Sequence, residues 1–160
     1  MQEIFLQYKT VIIFLHVMSA VVWVGGMIAL RFAAHASFME IESPIKRLER
    51  IAHALKRLFC IVAPFAIILL VTAIFMIKGY GISQSEFAPF GYAKEGIWTV
   101  MFINLTIMIL RRNRAVKLLN AGDMVGAKFS LELIGKFMVP VNIVLGVVAI
   151  LLGTFLSNAF

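Results

Sequence analysis

The chain has 160 residues, 62% of them hydrophobic and 14% charged, with a formal net charge of +7. A soluble domain is about 45–50% apolar and about 25% charged, so this composition excludes a wholly water-exposed exterior; lipid carries no penalty for bare Leu, Ile, Val and Phe. The positive charge is grouped beside apolar runs, where membrane topology accounts for it without a nucleic-acid partner.

In chain order, apolar spans are predicted at about residues 11–30, 58–77, 92–111 and 137–156. A helix crosses a bilayer with about 20 residues. The first run lacks a basic leader and a small-residue cleavage site, so it reads as a retained helix. Residues 44–57 have helical spacing, with Ile45, Leu48, Ile51, Ala52 and Leu55 on one face. Ser43 and Pro44 suit the start of a helix there, predicting an amphipathic inner-side extension of the second span. The third apolar stretch, Ile97 to Leu110, is short. It crosses only if the helix begins near Gly91 and carries Lys94 and Glu95 at its outer end, from which long side chains snorkel. Residues 79–91 read as a loop rich in Gly, Ser and Pro, and Asn120 to Asp123 as a break before the fourth span.

Lys and Arg divide unevenly among the connections. The amino-terminal segment has one (Lys9), the first connection six, the second two (Lys78 and Lys94), the third six, and the tail none. By the positive-inside rule both termini lie outside and the two basic connections inside. The expected fold is all-α: a single membrane domain, a four-transmembrane-helix bundle, N-out and C-out; its placement in the cytoplasmic (inner) membrane of a bacterium is what the family resemblance given below implies. Trp23 precedes Pro64 by 41 residues and Trp98 precedes Pro140 by 42. That spacing fits a tandem helical-hairpin repeat, and it also lies within reach of chance.

Few residues carry chemistry. Cys60 is the only cysteine, which excludes an internal disulfide and a Cys-based zinc site; it reads as a small core residue. The nine methionines are scattered without copper-site spacing and read as apolar filler. Gly25 and Gly26, beside Trp23, admit a neighbouring helix or a flat ligand close to the backbone. Gly146 and Gly153 read as a packing stripe, and Asn104 and Asn142 as amides bonded across helices. There is no nucleotide loop, intramembrane carboxylate pair or Ser/His/Asp arrangement.

Three histidines remain. His16 lies about 8 Å below the outer end of the first span. A neutral imidazole there either ligates haem iron or bonds a backbone carbonyl or interfacial water. His35 is about 28 Å farther along the same helix and cannot share that iron. His35 and His53 could approach across the inner hairpin to hold a haem or a copper ion, or sit among solvated basic side chains. Lys94 stands level with His16. Its ammonium either pairs with a carboxylate, a haem propionate included, or anchors the interface beside Tyr92 and Trp98.

His16, Trp23, Gly26, Arg31 and His35 together resemble the first helix of HemJ-type protoporphyrinogen oxidases and the related CopD-like membrane domains. The resemblance continues through Lys56-Arg57-Leu58, ahead of a Pro-containing second helix, to Lys94 at the head of the third. It implies a haem b protein of the cytoplasmic membrane, with His16 as haem ligand and Lys94 as the catalytic residue of an oxidoreductase. Trp23, Gly26, Tyr92 and Lys94 would then border the cofactor. Lys94, Tyr92, Met76 and Met101 are the outer-half candidates for a second ligand. A quinone or porphyrin would be the electron partner. The CopD-like side of the resemblance implies copper handling instead. A non-catalytic subunit of a larger respiratory membrane complex, or a homo-oligomer, is the remaining expectation.

Overall fold

The computed structural model describes residues 2–158. Four long helical rods make up the bundle. The first joins α1 (Gln2–Ala29), a wide π-helical turn (Leu30–Ala34) and α2 (His35–Met39). The second is α3 (Pro44–Gly79). A 3-10 turn (Ile82–Gln84) leads to the third, α4 (Ala88–Asn120). The fourth joins α5 (Met124–Leu133), a second wide turn (Ile134–Met138) and α6 (Val139–Ser157). All four rods are long and apolar enough to cross a membrane. The protein is an all-α membrane bundle in which α1 packs on α3, α3 on α4, α4 on α6, and α6 back on α1.

Each rod outruns the apolar run that marks it, spanning 38, 36, 33 and 34 residues. Apolarity reports the lipid-immersed part alone, whereas helical hydrogen bonding continues wherever side chains tolerate it. Ser43 accepts from Lys46 N–H at the head of α3, with Pro44 in the first turn, so residues 44–57 extend that helix as expected. α4 begins at Ala88, three residues before Gly91, with Pro89 in its first turn. The fourth rod starts at Met124, thirteen residues before its predicted span. Asp123 caps it by accepting from Gly126 N–H at 2.9 Å, and Glu132 pairs with Lys128 and Lys136 one turn to either side. Gly122, at φ 80°, makes the turn between the third and fourth rods.

The core is a single apolar column through Trp23, Met27, Val62, Ala66, Met101, Leu105, Met108, Ile134 and Val139. Gly26 admits α3: a Cβ there would stand 2.9 Å from a Leu58 methyl. Cross-helix polar ties hold the register. Asn104 Nδ2 donates to Met138 O and to Asn142 Oδ1, both at 2.8 Å, as expected of amides bonded across helices. Trp98 Nε1 donates to Ala66 O at 3.1 Å. Trp98 is half-buried, stacked on Phe102, with its indole N–H turned into the bundle. Phe14, Val21, Ile67, Ile103, Val144 and Leu151 are exposed, which is where a lipid-facing surface places its large apolar groups. Cys60 is exposed, which corrects its reading as a core residue. One residue past the buried Phe59, it is turned about 100° away from the core.

Candidate functional site

The bundle's polar interior is sparse, and its chemistry is concentrated toward the end opposite the basic connections. His16 belongs to the stripe Ile12, His16, Ser19, Trp23, Met27, whose spacing keeps it on the inward face of α1. Ser19, fully buried, returns its hydroxyl to Leu15 O at 2.7 Å and is silent toward its neighbours. His16 is half-buried and its Nδ1 lies 3.0 Å from Thr72 Oγ1 on α3.

The direction of that bond follows from counting protons. A threonine hydroxyl has one hydrogen to give. Thr72 is buried, and its oxygen lies 2.7 Å from Ile68 O and 3.0 Å from Leu69 O, carbonyls of its own helix that can only accept. The hydroxyl proton is committed there. Thr72 therefore accepts from Nδ1–H of a neutral His16, and the ring's lone pair is left on Nε2. The Leu69 carbonyl also bonds the ring, and a histidine held through Nδ1–H is the arrangement in which Nε2 can ligate a metal or accept a proton.

Lys94 comes from the first turns of α4. It is half-buried, and its charge acts on the His16 ring. Its ammonium rests on α6 at Gly153, where a Cβ would stand 2.8 Å from Nζ. Gly153 thus leaves room for a side chain from another helix, beyond the packing role expected of it. Lys94 makes no hydrogen bond or ion pair with any described residue. An unpaired ammonium drawn into a helix bundle is costly unless an anion or water meets it.

The other expected residues lie apart. Tyr92 is 59% exposed, two residues and about 200° around α4 from Lys94. Trp23 is buried in the central core two turns below His16, and its Nε1 has no hydrogen-bond partner among the described residues. Gly26 is occupied by the α1–α3 contact. Met101 is buried beside Gly146, and Met76 is half-buried near the end of α3. At the basic end His35 is half-buried in α2 and His53 exposed on α3; neither bonds another described residue. Among the described residues no three His, Cys, Asp or Glu gather as a metal site would require. Thr72 is the member the sequence reading missed. Its signal is that it is the lone hydroxyl between Ile61 and Ile77.

Comparison of the chain with protein-family models, with curated proteins and with solved structures finds no match in any of the three.

Proposed function

We propose that the protein is a haem b-binding membrane redox protein in which His16 would ligate the iron and Lys94 would meet a propionate. The observation that carries this reading is the His16–Thr72 bond, because a donor role for Nδ1 would leave Nε2 as the ligand atom inside the bundle. The unpartnered Lys94 ammonium supports it, since a haem brings two carboxylates and needs a cation near the membrane surface. His16 is the one iron ligand assigned.

Each residue has a physical task. Thr72 fixes the tautomer and orientation of His16 through an acceptor tied to the α3 backbone. Gly153 keeps the path of Lys94 open. The apolar layer of Trp23, Met27 and Met101 below His16 excludes water from the middle of the bundle. Haem, when bound, supplies one-electron chemistry, and the surrounding protein sets its orientation and electrostatics. As an enzyme the protein would be an oxidoreductase of the bacterial inner membrane, with a porphyrinogen or a quinol as electron donor.

The test is the reduced-minus-oxidised absorption spectrum of the purified protein after haem supplementation. A b-type α band is expected, lost in His16→Ala and retained with weaker haem in Lys94→Gln. No band in the wild type, or an unchanged band in His16→Ala, overturns the assignment. Co-purification of larger membrane partners by a haem-free protein would favour an accessory subunit.

A further inference from the structure

At the basic end of the bundle, the first turns of α3 lie beside the last turns of α4. Between them lies a cleft of about 200 Å³, lined by Ile45, Glu49, Ala52, His53, Arg112, Val116, Leu119 and Asn120. A second hollow on the outer flank of α3 shares Glu49 and His53 and adds Lys46 and Arg50. The proposed redox site uses none of these residues.

We propose that this pair of hollows binds a phosphate-bearing anion, held by Arg112, Arg50, Lys46 and His53. Arg112 is the anchor. Its Nε donates to Ala52 O on α3 at 2.9 Å, and its Nη1 to Asn113 Oδ1 at 3.1 Å. The guanidinium plane is thereby fixed across two helices, with Nη2 making no bond to a described residue. A pre-oriented fork with free N–H groups is the geometry that recognises phosphate oxygens. Lys46 and Arg50 stand one turn apart on α3 with no ion-pair partner among the described residues. Glu49 is the one carboxylate present, likewise without an ion pair. It is outnumbered by three permanent cations, and it suits a headgroup hydroxyl that can donate to it.

Depth and shape favour the phosphate of a lipid. His53 lies about 7.5 Å before Leu58, where the apolar part of α3 begins, and therefore at headgroup level. Ile45, Val116 and Leu119 give the cleft an apolar wall that a free ion does not use and an acyl chain does. Basic pockets between helices at this level hold anionic headgroups, at about 1 kcal/mol per cation, or about fivefold in affinity.

The test uses the full-length protein in nanodiscs of phosphatidylcholine with or without phosphatidylglycerol, and in detergent with inorganic phosphate. The readouts are thermal unfolding and lipid retained on delipidation. Phosphatidylglycerol is expected to raise the midpoint and be retained over phosphatidylcholine. Lys46→Gln with Arg50→Gln, both exposed, should weaken retention by more than tenfold, and Lys128→Gln, outside the cleft, should not. Arg112→Gln should abolish it; if that variant fails to fold, the Lys46/Arg50 pair decides. Protection by inorganic phosphate that the pair also loses would keep the site and make the free ion its ligand. Equal retention of the two lipids with no phosphate effect overturns the proposal, as does undiminished retention in the Lys46/Arg50 variant.

Discussion

The Lys94 ammonium lies against the bare backbone of Gly153, so that α4 and α6 meet through a cation on one side and the absence of a side chain on the other. Gly153→Leu should push the ammonium out of the bundle. An amine-reactive, membrane-impermeant reagent should then label Lys94 faster than in the wild type, while overpacking costs about 1–3 kcal/mol in unfolding. Unchanged labelling would mean that Lys94 already points outward.

The two tryptophans should lose stability for different reasons. Trp98→Phe removes the donor to Ala66 O, a bond of about 0.5–1.5 kcal/mol, and should lower the unfolding midpoint. Trp23→Phe removes an indole N–H that has no partner among the described residues, so it forfeits no hydrogen bond and costs only the cavity that the smaller ring leaves in the core. Thermal unfolding of both variants in one detergent checks the contrast. A hydrogen-bonded Trp23 indole N–H, read by ultraviolet resonance Raman, would refute the missing partner.

Asn104 and Asn142 should be coupled. Asn104→Leu strips the Asn142 oxygen and the Met138 carbonyl of their shared donor and should cost about 1–2 kcal/mol. The double Asn104→Leu, Asn142→Leu variant should cost less than the sum of the singles, since no orphaned amide then remains. A double-mutant cycle in denaturant gives the coupling directly, and strict additivity would refute a shared bond.

Cys60 offers a probe of the lipid face. A maleimide that partitions into the bilayer should modify it in intact membranes, and a charged maleimide should not. Efficient reaction with the charged reagent would place this stretch of α3 against water.

Thr72→Val keeps size and burial but removes the acceptor for His16 Nδ1. Haem affinity should fall about 10- to 100-fold, the usual effect of losing the partner that orients a ligand. Titration of the variant with haem, read against His16→Ala, checks this.

Much of the fold was legible because lipid imposes a coarse alphabet. Four apolar runs and two basic connections were enough for the four rods, and Ser43-Pro44 marked the start of α3 well before its apolar part. The ends of the rods were less legible. Met124 to Lys136 contains charges that a hydropathy reading treats as connection, yet Glu132 and its two lysine neighbours suit a helix surface. Cys60 was misread because a small apolar residue fits either face, and only the phase set by Phe59 and Val62 decides. His16 and Lys94 stood out as ionisable groups in apolar surroundings. Thr72 and Gly153 did not, because their contributions depend on which helix lies opposite, a relation that no local spacing encodes.

The wide turns at Leu30–Ala34 and Ile134–Met138 each close a bond over five residues instead of four, so each absorbs one extra residue. They sit toward the basic end, on neighbouring rods. Deleting one residue inside Leu30–Ala34 would restore ordinary winding with α2 near its present phase, leaving His16, Trp23 and Met27 aimed as before. The same deletion between Ile12 and Met27 would swing one part of that stripe about 100° out of line with the other. The rods can thus change length at one end of the bundle without disturbing the other.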